Sequence, residues 1–133
     1  MTSKIEFFIP VKPVPASRPR VGRFGAYYAK GYTEFRQEAY AFLKTIAKDY
    51  PIKDKVGFEI YSEIICYKPK KPANEYPRGD IDNFEKAIYD SITYAKMVWK
   101  DDIQIVKNHS TKRYQRDGED YGIRIIIYNV EVD

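Results

Sequence analysis

Two acidic residues near position 80, Asp80 and Asp82, are separated by a single isoleucine. In an extended segment, acids at i and i+2 point to the same side. Their Cβ atoms would then lie roughly 6–7 Å apart, twice the rise per strand residue. One divalent cation could be reached by both carboxylates, since its oxygen ligands lie about 2.0–2.6 Å away. The pair Asp101-Asp102 could supply a third carboxylate, and such a donor set suits Mg²⁺ or Mn²⁺.

Lys86 follows Asp82 by four residues. On a helix, this spacing places the two side chains on one face, one turn apart. A lysine there could neutralise a carboxylate or contact a phosphate. Phosphodiester cleavage uses such groups, because a metal lowers the pKa of a bound water and cations stabilise the charge of the transition state. The pattern therefore indicates a metal-dependent phosphodiester-cleaving site.

Simpler explanations exist for most of these residues. Asp82 could cap a helix, with Glu85 completing a capping box. Lys86 could belong to a surface ion pair worth under ~1 kcal/mol, and Asp101-Asp102 could be a solvated turn. Asp80 has no capping role if Asp82 has it, so these explanations together account for less than the catalytic one.

Basic residues are concentrated in two segments, although the net charge of the chain is only +4. Residues 12–32 contain five basic residues and no acidic one, whereas residues 68–78 contain four basic residues and one acidic one. Such clustering indicates a polyanionic partner better than the total charge does, and solvation of two loops is the alternative. The candidate DNA-binding residues are Arg18, Arg20, Arg23, Lys68, Lys70, Lys71 and Arg78.

Hydrophobic periodicity and the positions of proline and glycine predict an α+β fold, with a mixed β-sheet and two main helices in a single small domain over residues 1–133. We predict strands over residues 4–9, 56–67, 103–108 and 122–128, with a short strand at 27–28. Helices are predicted from Thr33, as N-cap, to Pro51, and over residues 83–94 behind an Asp82–Glu85 capping box. Residues 112–120 are predicted to form a hairpin loop. The buried stripe of the second helix should comprise Phe84, Ala87, Ile88, Ser91 and Ile92.

Several other classes of protein fit the sequence poorly. An EF-hand would need glycine and glutamate where Glu85 and Ser91 stand. His109 has no partner histidine for a zinc site, and Cys66 ends an apolar strand, which is typical of a buried core residue. A single cysteine permits no intramolecular disulfide, and neither a signal peptide nor a membrane-length apolar run is visible. We therefore expect a soluble, cytoplasmic protein with no membrane partner.

Three segments carry a resemblance to a known family: VPASRPRV at residues 14–21, GDIDNFEKAIYD at 79–90 and VWKDDIQIV at 98–106. In order and spacing they resemble the RusA family of crossover junction endonucleases, the Holliday junction resolvases of bacteria and their phages. The resemblance implies that Asp80, Asp82 and Asp102 are the catalytic, metal-binding aspartates and that Lys86 is the essential lysine. Residues 93–99 lack the glycine that many relatives have, which bears on the geometry of that loop.

The resemblance further implies dependence on Mg²⁺, or on Mn²⁺ as a substitute. It implies a homodimer that makes paired symmetric nicks in four-way branched DNA during recombination and repair. The resemblance does not restrict the substrate to four-way junctions, and other branched DNA remains an alternative.

Two other functions remain open. The chain could be a non-catalytic nucleic-acid-binding module that uses only its basic segments, or an accessory protein that binds another protein through an aromatic loop. Phe24, Tyr27, Tyr28 and Tyr32 in that loop could stack on exposed bases or pack on the core.

Overall fold

A four-stranded mixed sheet with two helices packed on one face forms the framework of the molecule. The computed structural model describes residues 4–130, apart from the side chains of Ala26 and Tyr27. The elements of the main sheet and its helices are β1 Lys4–Ile9, α1 Lys30–Ile46, β4 Gly57–Cys66, α2 Ile81–Tyr94, β5 Ile105–Tyr114 and β6 Gly122–Val130. The strands of the main sheet have the order β1-β6-β4-β5, in which β4 and β5 are parallel and the other pairs are antiparallel. This arrangement confirms the predicted α+β class.

The core lies between the helices and one face of the sheet. Phe58, Ile60 and Ile64 alternate along β4 and are fully buried, as period-2 patterning predicts. The predicted stripe of α2 is confirmed, since all five of its residues are buried. Each large apolar side chain buried in this way stabilises the fold by roughly 1.5–3 kcal/mol. The helices are therefore held to the sheet chiefly by hydrophobic contact.

Strand β4, helix α2 and strand β5 form a parallel crossover unit. Because the helix returns across the sheet, its N-terminal end lies near the carboxyl ends of β4 and β5. The segment that leads from Cys66 into α2 is the second basic segment, so it lies at this same end. The crossover thus brings the conspicuous acidic and basic segments of the sequence together.

The first helix begins earlier than predicted. It starts at Lys30, with Ala29 as N-cap, and Thr33 lies in its first turn, where the hydroxyl donates a hydrogen bond to the Ala29 carbonyl oxygen. The helix ends at Ile46, and a 3₁₀ turn over Ala47–Asp49 precedes Pro51. The Thr33 hydroxyl binds a backbone carbonyl oxygen and does not cap the N–H groups at the start of the helix. The prediction was wrong because threonine is common in both roles.

The prediction of a hairpin over residues 112–120 is wrong. Strand β5 continues to Tyr114, and β4 lies between β5 and β6 in the sheet. Local sequence cannot reveal this arrangement, because it depends on the parallel pairing of β5 with a distant strand. A small hairpin of β2 (Arg20–Gly22) and β3 (Gly25–Tyr27), of which only part of the second strand was predicted, lies within the first basic segment.

The loop between β5 and β6 is closed by an ion pair. Both guanidinium NH groups of Arg113 donate to the Glu119 carboxylate, at 2.6 and 2.7 Å, and the backbone N–H of Arg116 donates to it at 2.9 Å. The hydrogen bonds from Arg113, followed by that from Arg116, lower the pKa of Glu119 to about 2. Bidentate pairs of this kind are among the stronger charged contacts in proteins.

This pair should make stability depend on pH. Since the pKa of Glu119 is depressed in the folded state, its stabilisation is present above the ordinary value of 4.5 and is lost as the pH falls towards 2. We expect Glu119→Gln to lower the free energy of unfolding at pH 7 and to weaken its decline between pH 4.5 and 2. Urea unfolding at several pH values measures both effects. The exposed Asp117 of the same loop offers Asp117→Asn as control, and identical pH profiles for Glu119→Gln and wild type would contradict the assignment.

Candidate active site

Helix α2 presents Asp82, Lys86 and Asp90 at four-residue intervals, so all three share one face. The Lys86 ammonium donates to an Asp90 oxygen at 3.2 Å. The Lys86 side chain is 65% exposed and that of Asp90 is 35% exposed. The hydrogen bond and charge of Asp90 raise the pKa of Lys86, and the charge of Asp102 adds to this. Lys86 therefore remains a cation near neutral pH and lies within the field of two carboxylates.

Asp102 reaches this group from the other side, from a 3₁₀ turn over Asp102–Gln104. Burial is the largest cause of its raised pKa, followed by a hydrogen bond and repulsion from Asp101 and by repulsion from Asp90. Lys86 acts in the opposite direction. The structure thus brings Lys86 and Asp102 into one electrostatic group, and adds Asp90, which the sequence did not single out.

Asp101 has a structural task. Its carboxylate accepts from the backbone N–H of Ile103 at 3.0 Å, while the Gln104 side chain accepts from the backbone N–H of Asp101, which completes a capping box. The capping box predicted at Asp82 and Glu85 is wrong, because the N-cap of α2 is Asp80 and its side chain makes no capping hydrogen bond. Asp101 holds the turn, whereas Asp102 is the acid of this pair whose charge acts on Lys86.

The extended geometry predicted for Asp80 and Asp82 is also wrong. Helix α2 begins at Ile81, so Asp80 is the N-cap and Asp82 already lies in the first turn, with its carboxylate accepting from the Asn83 backbone N–H at 3.1 Å. With a rise of 1.5 Å per residue, Asp82 lies about 6 Å and Asp80 about 9 Å from Lys86 along the helix axis. Among residues 4–130, no three His, Cys, Asp or Glu side chains are gathered as a metal-binding group.

The predicted donors suit a hard divalent cation by their chemistry, because all are carboxylates. The repulsion that Asp101 and Asp90 exert on Asp102 is the kind that a nearby cation would relieve. Asp80 and Asp82 are exposed, and their side chains are not held by a salt bridge within the described range. The residue types therefore fit Mg²⁺, although the three carboxylates are not drawn together.

Glu85 connects α2 to the sheet. One of its carboxylate oxygens accepts from Asn108 at 2.8 Å, from Ser110 at 2.6 Å and from Tyr89 at 3.3 Å. Burial is the largest of the causes that raise the pKa of Tyr89, to about 12, so its hydroxyl remains a donor. These contacts fix the rotation of α2 against β5, and sequence reasoning missed them because they join residues far apart in the chain.

Both basic segments meet the first turn of α2. The backbone N–H of Ala16, just before the first segment's arginines, donates to the Asn83 carbonyl oxygen at 2.9 Å. The second segment runs directly into Asp80. All seven candidate DNA-binding side chains are exposed. The positive charge predicted to contact a polyanion is thus attached to the same helix end as Asp80 and Asp82.

The aromatic residues of the first segment differ in their exposure. Phe24 is 98% exposed with Arg23 against its ring, and Tyr28 is 36% exposed, so both could stack on a base. Tyr32 is only 4% exposed and belongs to the core, which removes it as a stacking residue. The side chain of Tyr27 lies outside the described residues.

Arg36, which sequence reasoning overlooked, lies 5.0–5.7 Å from the rings of Tyr28, Tyr32 and Tyr94.

The loop before Asp101, which has no glycine, nevertheless contains two residues with positive φ. Lys96 and Val98 adopt φ values of 56° and 64°, a region that residues other than glycine rarely occupy. Backbone hydrogen bonds hold Val98, since its N–H donates to Tyr50 and its carbonyl accepts from Lys53. The loop that leads to Asp102 is therefore fixed by tertiary contacts in place of glycine.

Comparison with known proteins defines the class of this chain. Residues 10–128 match the family described as endodeoxyribonuclease RusA. This match covers most of the chain, so the protein belongs to the RusA family of endodeoxyribonucleases, a family of nucleases, as its three motifs indicated. A search of curated proteins found no matching relative. No helix within residues 4–130 has the length and apolar character needed to cross a membrane.

The unfavourable electrostatic environment of Asp102 leads to a prediction about stability. Because its pKa is raised in the folded state, ionised Asp102 destabilises the fold above its ordinary pKa of 3.8. We expect Asp102→Asn to raise the melting temperature at pH 7 in metal-free buffer and to lose this gain near pH 3. Thermal unfolding at the two pH values checks the expectation. Asp54→Asn, at an exposed site, is the control, and a lower melting temperature for Asp102→Asn at pH 7 would reject the explanation.

Proposed function

We propose that this protein is a metal-dependent endodeoxyribonuclease that resolves Holliday junctions by paired, symmetric phosphodiester cleavage in DNA recombination and repair. The observation that carries this proposal is the group formed by Lys86 and Asp90 of α2 with Asp102 of the adjacent 3₁₀ turn. The same helix has Asp80 as its N-cap and Asp82 in its first turn, and this end adjoins both basic segments. Membership of an endodeoxyribonuclease family supports it.

In this proposal Asp80, Asp82 and Asp102 would hold Mg²⁺, or Mn²⁺ as a substitute, which would supply an activated water and stabilise charge on the phosphate. Lys86 contributes a cation that reaches the scissile phosphate or the leaving oxygen. It is mostly exposed and bound only to Asp90 among the described residues, so it can turn towards DNA without losing a buried contact. Asp90 keeps the ammonium on the active-site face of α2 until the substrate arrives.

The exposed arginines and lysines of the two basic segments would contact the DNA backbone. Such contacts position a duplex without reading its sequence. Phe24 and Tyr28, beside these residues, provide aromatic faces for bases that are unpaired at the branch point. The segments adjoin the first turn of α2, so phosphates held by them would lie close to the acidic residues.

We further propose that residues 1–133 form one domain and that the protein acts as a homodimer in the cytoplasm. A four-way junction has two-fold symmetry, and an isologous dimer presents two equivalent sites related by the same symmetry. Two sites of this kind would account for paired cleavage of opposite strands.

The separation of the proposed ligands favours one rival, a protein that binds nucleic acid without cutting it. In that case the acidic residues serve only as caps and ion-pair partners, as Asp101 and Asp90 do. A labelled four-way junction incubated with and without Mg²⁺ distinguishes the two functions. Metal-dependent products on a denaturing gel support the nuclease, whereas retarded DNA without products supports the rival.

Replacement of Asp82 tests the catalytic assignment. We expect Asp82→Asn to lower the rate of junction cleavage by more than about 100-fold, because loss of a direct ligand should exceed the 10–100-fold effect of losing an outer-shell partner. Binding of the junction, measured by gel retardation in Ca²⁺, should be retained. Asp54→Asn serves as the matched control outside the site. Cleavage by Asp82→Asn at the wild-type rate would refute the assignment.

Salt dependence tests the role of the basic segments. Each phosphate contact contributes about one unit to the slope of log affinity against log salt concentration. We expect the double variant Lys70→Ala, Lys71→Ala to reduce this slope by about two without changing junction preference. A control pair, Lys48→Ala with Lys55→Ala, removes the same charge outside both segments. Equal slopes for the two double variants would show that the segment has no special part in binding.

A further inference from the structure

Lys112 on the edge strand β5 makes two short hydrogen bonds to the segment that leads into α2. Its ammonium donates to the carbonyl oxygens of Pro77 at 2.7 Å and Gly79 at 2.6 Å. The side chain is half-buried and also lies 5.8 Å from the ring of Tyr76. Within residues 4–130 it forms no ion pair, so its charge is directed at backbone carbonyl groups. The second of these carbonyls belongs to the residue that directly precedes Asp80.

The turn that Lys112 binds has a restricted backbone. Gly79 has a φ of +105°, which side-chain-bearing residues rarely adopt. A Cβ atom at Gly79 would lie 2.9 Å from the Phe84 ring and 3.0 Å from Pro15. The turn is therefore packed tightly against an aromatic ring and a proline, and its carbonyl groups are held by Lys112. The backbone of the next residue, Asp80, is therefore restricted to a narrow range of positions.

Lys112 belongs to a series of residues on the helix-facing side of β5. Asn108, Ser110 and Lys112 alternate along the strand, and the first two bind Glu85 on α2. Those two fix the helix itself, whereas Lys112 fixes the turn before it. The strand thus supports the start of α2 at two points, one inside the helix and one immediately upstream of its N-cap.

We propose that Lys112 is a positioning residue of the active site, which fixes the backbone of Asp80 and so sets where this carboxylate lies. The inference rests on the proposed function, in which Asp80 binds the metal. Outer groups that orient a metal ligand commonly change metal affinity when they are removed. Lys112 acts in this way through the main chain, without touching the metal or the substrate.

Metal affinity, measured apart from catalysis, tests the proposal. Lys112→Met keeps the length of the side chain and removes its donors, while Lys112→Arg keeps a charged donor. The control is Lys107→Met, an exposed residue on the opposite side of the same strand. The measurements are Mn²⁺ binding to the DNA-free protein by calorimetry, the Mg²⁺ dependence of junction cleavage, and the melting temperature.

We expect Lys112→Met to weaken Mn²⁺ binding about 10- to 100-fold and to raise the half-saturating Mg²⁺ concentration by a similar factor. The cleavage rate at saturating Mg²⁺ should stay within a few-fold of wild type. Lys112→Arg should recover most of the affinity, and Lys107→Met should match wild type. If Lys112→Met does not fold, Lys112→Gln, which keeps one donor group, should show the same loss to a smaller degree.

The proposal is overturned if folded Lys112→Met, or Lys112→Gln in its place, binds Mn²⁺ with wild-type affinity. It is also overturned if the cleavage rate falls while the metal dependence is unchanged, since Lys112 would then act on something other than Asp80. Failure of the underlying function has a different signature. In that case the wild-type protein itself would bind no Mn²⁺ and cut no junction.

Discussion

The contact of helix α2 with the edge strand β5 determines which polar side chains can meet in this molecule. Hydrophobic burial of one helix face fixes the distance of α2 from the sheet but tolerates rotation and sliding, because apolar contact is non-directional. The hydrogen bonds of Glu85 to Asn108 and Ser110 have direction, and they select one orientation. With α2 so oriented, Lys86 and Asp90 lie towards Asp102. The first turn of the helix contacts the first basic segment through Ala16 and directly follows the second.

Burial and repulsion from neighbouring acids make the ionised carboxylate of Asp102 unfavourable for stability. A turn with only a structural role would not need a carboxylate at this position. Asp101 already caps the 3₁₀ turn, so Asp102 is not needed for that task, yet it is partly buried among negative charges. Ionisable groups whose pKa is shifted by burial and by neighbouring charges are more frequent at functional sites than elsewhere. In the proposed function, a divalent cation would relieve this repulsion.

The sequence predicted the features that depend on local patterns. The apolar stripe of α2, the alternation along β4 and the class of fold all follow from periodicity, and the motif around residues 79–90 indicated the family. Features that depend on distant partners were missed. The parallel pairing of β5 with β4 made the hairpin prediction wrong, and the interactions of Glu85 and Lys112 could not be deduced from their neighbours in the chain.

The errors at the start of α2 have a more specific cause. Two aspartates at i and i+2 were treated as part of an extended segment, and Asp82 as a cap, because aspartate is common in both settings. The structure places the helix boundary two residues earlier than predicted, since Gly79 adopts a positive φ and Lys112 holds the turn. The helix boundary therefore depends on a lysine 33 positions away as well as on the local sequence.

The two basic segments and the acidic first turn of α2 must be considered together, because DNA would be repelled by the acids alone. At about 4 Å, two like charges near a protein surface repel by up to about 4 kcal/mol at an effective dielectric constant of 20. A phosphate brought next to Asp82 and Asp102 therefore needs a compensating cation. Lys86 supplies one positive charge, and it is partly neutralised by Asp90. The basic side chains of the two segments can neutralise phosphates along the DNA backbone. In the proposed function, the phosphate nearest the carboxylates requires a charge located between them, which is the position that a bound divalent ion would occupy.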